Sequence, residues 1–520
     1  IPRRQRQMCI RDSDTTKQKQ HESGGLTMDA TGAENHTTIL AIEPSPVEEN
    51  IIWVGTDDGN IQVTTDGGVN WTNTANNIKG IPQGSYVAQV KASAFNAGEA
   101  VAVINNYRRG DWTPYVVHTT NYGKKWTNIV ENKGLEGYAL SFVQDLVEPN
   151  LMFVGTEFGL YFTIDGGDNW TRWTNGYPTV STYDMVIQPR EHDLVIGTFG
   201  RSFWVLDDIR PLRELATEGA NELEKAIKAF DSPDAYLVNW RQAMGTRFAA
   251  DAMYSGDNRP RGAMITYSVN KELSQKSEKI DAPSAKGRSR AKRGSDEEKV
   301  KVAIFNELGE NIRNIEVTPE HNGVNRMQWG LERKGMQRPS RRAIRPNMPE
   351  PRGGNVLPGT YKIVMSYAGS KDSTLVTVHY DPRIEITMEA LEATAALEDE
   401  GGMLGAELAE AVQKLVTAES IMKVNKGILD ADPRSAEDLK AVRNVHRTTH
   451  VSLDALFAHI FGSDDDERQG IVRNPEVTVM SRLYGVGRYF GNDVDGPGVT
   501  EENLLRLARE AVTELSLIHI

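Results

Sequence analysis

The sequence predicts a multidomain, mainly β protein: a β-propeller segment of about four blades, then an antiparallel β-sandwich, then a C-terminal α-helical bundle. Three observations predict it. A Thr-x-Asp/Asn-x-Gly-x-x-Trp box recurs in the first part of the chain. Alternating apolar runs separated by turn residues fill the middle. From Met388 onward the apolar period changes to that of helices. The length of 520 residues allows three or four domains of ~100–200 residues each. With 39% hydrophobic and 25% charged residues, the composition excludes wholesale disorder and collagen-like structure. No apolar run is long enough to span a bilayer as a helix. The net charge of −13 and pI near 5.4 point away from nucleic acid as a partner.

The box sets the fold of the first segment. Residues 64–71 read TTDGGVNW, 119–126 TTNYGKKW and 163–170 TIDGGDNW. The repeated positions are Thr64, Asp66, Gly68 and Trp71; Thr119, Asn121, Gly123 and Trp126; and Thr163, Asp165, Gly167 and Trp170. Upstream of the first and third copies lie the near-identical strands IIWVGTDDGNIQVT and LMFVGTEFGLYFT. A fourth strand, LVIGTFGRSFWVLDD, shares their Gly-Thr pair followed by a turn glycine and lacks a box. Val54, Val154 and Ile196 are 100 and then 42 residues apart, which fits a period of 42–50 with one unit between the first two. Each unit reads as short strands joined by Gly-rich hairpins. Its Asp or Asn bonds its own backbone in the next turn, and its Trp covers the hairpin and packs toward the next sheet. Four strands at this period make a propeller blade.

Residues 213–233 have helical spacing at their start and read as a helical linker. Residues 234–382 carry seven or so strand-like runs, among them GAMITYSV, KVKVAIFN, NRMQWGL and GTYKIVMSYAG, and read as a sandwich. Two basic segments, 286–293 and 333–345, interrupt it and read as solvated loops. Residues 383–514 place apolar positions at i, i+3 and i+4, with Ser435 and Thr500 as caps. His446, His450 and His459 sit at helix-face spacing, but the run HRTTH lacks the carboxylate of a zinc-protease motif and reads as packed or exposed histidines.

The boxes resemble the Asp-box, or bacterial neuraminidase (BNR) repeat, of sialidases, xyloglucanase-type glycosidases and sortilin. Residues 24–59, with 196–212, resemble a family of large bacterial proteins termed sortilin-like, or Asp-box glycosyl hydrolases. That resemblance implies an extracytoplasmic protein (periplasmic, cell-surface or secreted) that binds a protein, peptide or polysaccharide ligand. It also implies boxes on the outer hairpins, away from the central site. Around LPGTY, at residue 357, the sandwich resembles an immunoglobulin-like module. The two ends, residues 1–13 and 515–520, resemble translated sequencing-adapter read-through. On that reading 14–212 holds the propeller segment of a longer protein, and Cys9, the single cysteine, is not native.

Chemistry is sparse. A sialidase clamps its substrate carboxylate with three arginines, and Arg108, Arg109, Arg172, Arg190 and Arg201 are scattered without its signature. An inverting glycosidase needs two carboxylates ~6.5–9.5 Å apart. Asp57, Asp58 and Glu157 are the candidates for such catalysis, although Asp57 and Asp58 precede Gly59 as in a hairpin turn. Asp207 and Asp208 read as closing the last blade strand. GNDVDGPGVTEE, at residues 491–502, places Asp493, Asp495 and Glu502 at EF-hand positions, but Gly491 offers no ligand at the first and the segment reads as a turn. No cofactor is expected. The sequence favours a binding propeller, non-catalytic as it stands, over a glycoside hydrolase.

Overall fold

The computed structural model describes residues 16, 36–238, 259–278, 298–345, 348–462, 477–489 and 495–518. The chain is mainly β, with antiparallel sheets followed by C-terminal helices. It divides into two compact units, Ile1–Lys225 and Ala226–Ile520.

The first unit contains four consecutive sheets, each built from strands in chain order. The first comprises β1 (Ile39–Pro44), β2 (Ile52–Thr56), β3 (Ile61–Thr64) and β4 (Thr72–Asn73). The second comprises β5 (Tyr86–Ala92), β6 (Ala100–Asn106), β7 (Asp111–Thr119) and β8 (Thr127–Asn128). The third comprises β9 (Ala139–Gln144), β10 (Met152–Thr156), β11 (Gly159–Thr163) and β12 (Thr171–Trp173). The fourth has three strands, β13 (Thr182–Gln188), β14 (Asp193–Thr198) and β15 (Phe203–Leu206). The first strand of each sheet packs against the first strand of the next, which is the radial arrangement of a propeller. Apolar side chains fill the space between neighbours: Trp53, Ile61, Val87 and Ile104 between the first and second sheets, and Phe153, Leu160, Met185 and Ile196 between the third and fourth.

In two of the three strands the glycine of the Gly-Thr pair has a steric reason. A Cβ on Gly55 would lie 2.6 Å from Val87 Cγ1, and one on Gly155 would lie 2.5 Å from the Thr182 carbonyl oxygen. Only a missing side chain lets the next inner strand approach this closely. At this register the second sheet has Val103, opposite Gln89 as Gly155 is opposite Ser141, and two residues on Asn105 Nδ2 donates to the Ala139 carbonyl at 3.4 Å. This hides the second copy from a search for the Gly-Thr pair.

The box tryptophans correct the sequence expectation of packing toward the next sheet. Trp126 reaches back to the first sheet, donating to Thr74 Oγ1 at 3.3 Å and meeting Trp53 edge-to-face at 5.9 Å. Trp170 reaches back to the second sheet and donates to the Ile129 carbonyl at 3.0 Å. The box turn lies between the third and outermost strands, and there its ring meets the edge of the preceding sheet.

In the second unit two sheets enclose one core. One contains Ile227–Ala229, Ala263–Val269 and Gly323–Trp329. The other runs in the order Ala235–Leu237, Ser370–Tyr380, Gly359–Tyr367, Val300–Phe305 and Asn311–Val317. Ile265, Tyr267, Trp329, Ile363, Met365 and Val376 fill the space between. Burial pushes the Tyr267 hydroxyl up to about 12. Two details differ from the sequence reading. Ile227–Ala229, read as linker helix, is a strand, because Ile227 and Ala229 alternate inward. Ala235–Leu237 pairs parallel, not antiparallel, with Ser370–Tyr380. The helix ahead of it, Arg210–Glu218, belongs to the first unit.

Among the described residues four helices follow: Met388–Ala431, Lys440–Phe461, Val479–Tyr489 and Val499–Ile518. Thr387 caps the first by accepting the Ala390 N–H at 3.2 Å. Leu408, Val412, Phe457, Ile460, Met480 and Val512 form their core, joined by Leu515 from the segment read as artefact. Ser435 caps a turn ahead of the second helix rather than the helix itself, accepting from Asp438 N at 3.2 Å. Thr500 lies inside the last helix, and Glu501 takes the capping role by accepting the Gly498 N–H at 3.1 Å. Among the described residues no helix is long and apolar enough to cross a membrane.

Candidate ligand-binding site

Equivalent turns of the four sheets come together at one end of the first unit. Each joins the second and third strands, and it is tied to the chain entering its own first strand. Asp57 N donates to the Thr38 carbonyl at 3.1 Å, Glu157 N to Tyr138 at 3.1 Å and Phe199 N to Ser181 at 3.0 Å. In the second sheet the Arg109 guanidinium makes this link, donating to the Gln83 and Gly84 carbonyls at 3.2 and 3.0 Å. Every sheet also has a register irregularity near the start of its first strand. Such bulges re-aim side chains. The extra residue in the fourth sheet is Tyr183, which is 61% exposed.

These turns build an aromatic surface. Tyr107 stacks on Tyr138 at 4.5 Å, and Trp112 packs against Tyr138 at 5.4 Å. The Arg108 guanidinium lies 4.6 Å from the Tyr86 ring centre and 5.8 Å from that of Tyr107. Tyr183 meets Phe199 at 6.4 Å. Burial first, with smaller contributions from nearby Tyr107 and Tyr183, raises the Tyr86 and Tyr138 phenols, so the surface spans the second, third and fourth sheets. Trp112 is 54% and Phe199 76% exposed. A cavity of about 20 Å³, room for one water, lies beside it among Asp57, Tyr86, Asn105 and Arg108.

The three candidate carboxylates lie on these turns, each engaged differently. Asp58 is buried and accepts from Thr56 Oγ1 at 2.6 Å and Asn60 Nδ2 at 2.8 Å, which fixes the hairpin. Asp57 accepts the Thr38 N–H at 2.7 Å and lies 3.6 Å from His36 Nδ1. Burial raises its carboxyl above the usual aspartate range, against the opposing pull of the Thr38 bond and His36. Glu157 Oε2 accepts from Tyr138 Oη at 2.8 Å and Ser181 Oγ at 3.1 Å. Burial, then the Glu157 carboxylate, pushes the Tyr138 phenol strongly up.

The boxes lie elsewhere, on the turns leading to the outermost strands. In the first, Thr64 Oγ1 donates to Asp66 Oδ1 at 2.8 Å and accepts the Gly68 N–H at 3.0 Å. Asp66 also accepts from Asn70 N and Nδ2 at 2.8 and 2.7 Å, and Trp71 Nε1 donates to the Gly68 carbonyl at 3.2 Å. The third repeats the pattern, with Thr163–Asp165 at 2.6 Å, Gly167 N–Thr163 at 3.1 Å and Asn169 N–Asp165 at 2.9 Å. In the second, Asn121 accepts from Thr119 Oγ1 and Lys125 N at 3.1 and 2.9 Å, while Gly123 N donates to Thr119. Bonds from Asn70 and Thr64 hold the Asp66 carboxyl below its usual range. Slight burial pushes Asp165 up, but bonds from Thr163 and Asn169 outweigh it and the net shift is downward.

The other candidates are not brought together. Arg172 pairs with Glu136 and Arg190 with Glu191, far from a shared clamp. Asp208 is buried in a left-handed turn and pairs with Arg210 at 2.6 Å. Asp493 and the basic segment 286–293 lie outside the described residues; Asp495 lies in a bend and Glu502 in the last helix. His446 Nε2 meets the Met422 carbonyl at 3.0 Å and His450 pairs with Asp454 at 2.8 Å. Among the described residues no three His, Cys, Asp or Glu side chains could share a metal ion. Basic segment 333–345 is exposed over residues 341–345 but anchored: Gln413 Nε2 donates to the Ser340 and Arg342 carbonyls at 3.0 and 3.1 Å, and Arg341 lies over Phe457.

Sequence reasoning missed the aromatic surface and a buried clasp in which Arg213 grips Asp145. The aromatics have no shared motif, and the clasp joins residues far apart in sequence.

No protein-family model matches the chain, and no curated protein matches it. Among solved structures it is similar to YCF48 bound to D1 peptide, at 18% identity and a TM-score of 0.25, over 32% of this chain and 51% of that one. It is also similar to the GH74 xyloglucanase of Xanthomonas campestris, at 15% identity and a TM-score of 0.27, over 34% and 29% of the two chains. The GH74 enzyme of Niastella koreensis is 16% identical with a TM-score of 0.24, over 40% and 28%. The match spans about half of the YCF48 chain and under a third of each GH74 chain.

Proposed function

We propose that this chain is part of an extracytoplasmic, sortilin-like propeller protein that binds a protein, peptide or glycan ligand on the aromatic surface of the first unit. The observation that carries this reading is the continuity of Arg108, Tyr107, Tyr138 and Trp112, with Tyr183 and Phe199 exposed nearby. Flat exposed rings bury large apolar area at little entropic cost, and phenol and indole groups add hydrogen bonds. The boxes serve as turn scaffolds, since their polar groups are spent on one another. The domain plan accompanies this reading, with an immunoglobulin-like sandwich and a helical bundle as accessory modules. The Tyr361 hydroxyl supports the sandwich assignment by donating to the Leu357 carbonyl, four residues upstream, at 2.7 Å.

The test is binding of the whole chain to a panel of polysaccharides, sialosides and unstructured peptides. Trp112→Ala and the double variant Tyr183→Ala, Phe199→Ala should each weaken the captured ligand at least tenfold while the thermal midpoint holds. A ligand bound equally by all three proteins would place recognition elsewhere.

One observation favours a second reading, the glycoside hydrolase. Asp57 is a partly buried carboxyl with a raised pKa, as a general acid requires. Turnover of any glycan in the same panel, abolished by Asp57→Asn or Glu157→Gln in a folded protein, would replace the binding reading with this one.

A further inference from the structure

The helix Met388–Ala431 is 44 residues long, but its last buried residue is Val416. The next helix, Lys440–Phe461, has no buried residue before Leu453. Between those two points only Leu439 is buried, in the connecting turn. Residues 417–452 therefore form a two-helix arm that contributes almost nothing to the core of its own unit. At 1.5 Å per residue its first helix runs on for roughly 20 Å past the core.

The arm is nevertheless striped. On its first helix Ile421, Val424 and Ile428 follow one another at i, i+3 and i+7, and are 55, 63 and 61% exposed. On its second helix Val442 and Val445 are 53 and 63% exposed at i, i+3. The contacts that hold the two helices together use other positions: His446 meets the Met422 carbonyl, and Arg443 donates to the Leu429 carbonyl at 3.2 Å. A 3-4 spacing of Ile and Val is the seam of a coiled coil, and here it faces outward.

We propose that this stripe is a self-association surface, covered by the arm of a second copy of this chain packed antiparallel into a four-helix bundle. Charge favours that occupant. The tip carries Asp430, Asp432, Glu437 and Asp438 against Arg434, whereas the second helix carries Lys440, Arg443 and Arg447 and no acid before Asp454. An antiparallel mate sets each acidic tip beside the basic second helix of the other copy. The whole arm has six Lys or Arg against five Asp or Glu, so two arms meet without the repulsion expected between bodies of net charge −13. Five half-exposed Ile and Val side chains cover on the order of 500 Å² per copy, about 1,000 Å² for the pair, which is the size at which specific interfaces begin.

The experiment is sedimentation equilibrium on the full chain. Wild type should give twice the chain mass at micromolar concentration. The double variant Val424→Asp, Ile428→Asp should give the single mass, with unchanged helical circular dichroism and melting. A wild type that stays monomeric at its highest soluble concentration overturns the proposal, and so does an aspartate variant that still dimerises. Should the aspartates disturb folding, Val424→Ala with Ile428→Ala is the readout. A dimer dissociation constant raised about tenfold or more supports the surface, and an unchanged one overturns it.

Discussion

Arg213 and Asp145 form a buried two-pronged clasp. Arg213 Nε lies 2.8 and 2.9 Å from the two Asp145 oxygens, and Nη2 lies 2.7 Å from Oδ2. Asp145 Oδ1 also accepts the Val147 and Glu148 N–H groups, at 2.9 and 2.8 Å. The clasp ties the helix Arg210–Glu218 to the turn after β9. His192 Nδ1 sits 3.0 Å from Arg213 Nη1 on its far side.

Removing one partner should therefore be costly. Arg213→Ala strands a fully desolvated carboxylate and should lower stability by about 3–5 kcal/mol, read by urea denaturation. Asp145→Asn, which keeps a side-chain acceptor for the Val147 and Glu148 N–H groups, should cost less than Arg213→Ala. Equal small losses from both would show that the clasp is energetically idle.

The same clasp gives a pH dependence. Burial, then the charges of Arg213 and Arg210, lowers the pKa of His192 below the usual histidine range. The unfolded chain then takes up a proton at about pH 6.5 that the folded chain refuses. Stability from this site is complete above that pH and is lost as pH falls toward the depressed folded value. Denaturation midpoints measured from neutral to mildly acidic pH should decline, and His192→Gln should decline less steeply.

Trp126 bridges two sheets through Thr74 and Trp53. Trp126→Ala should destabilise the first unit by about 3–5 kcal/mol, the range for truncating a buried aromatic. Trp71, which bonds only within its own turn and is partly exposed, should cost clearly less on the same substitution. Calorimetry of the two variants decides the order, and the reverse ranking would remove the inter-sheet role.

Gly155→Ala should be more damaging than Gly197→Ala, although the two occupy equivalent places. A Cβ on Gly155 would overlap Ser141 Oγ as well as the Thr182 carbonyl, whereas one on Gly197 would have 3.6 Å to its nearest neighbour. Melting temperatures should fall by several degrees for the first and barely move for the second.

Much of this was readable from the chain. The Thr-x-Asp boxes announce turns because Thr64, Asp66 and Asn70 need nothing beyond seven residues to satisfy one another. Likewise the hairpin around residues 367–370 and the helix start after Thr387 are encoded locally. What escaped has no local code. Val103 stands where the strand motif has glycine, and Asn105, two residues on, bonds Ala139. Asp145 and Arg213 are 68 residues apart. The aromatic surface draws Tyr86, Tyr107, Trp112, Tyr138 and Tyr183 from strand ends and turns of three sheets, and only the radial stacking of sheets makes them neighbours. The direction of Trp126 was misread because a box records its own turn and not which sheet edge its ring will meet.

The up-and-down order of the four sheets has a consequence for biogenesis. Among the described residues every ladder in the first unit joins strands adjacent in sequence, so each sheet can close as soon as its own residues have left the ribosome. Each finished sheet then offers a template edge for the next tryptophan reaching back. Arg213 arrives only after the fifteen described strands have been made, and its grip on Asp145 is the step that must wait. Translation itself thus sets a direction for assembly, with the clasp as its final latch.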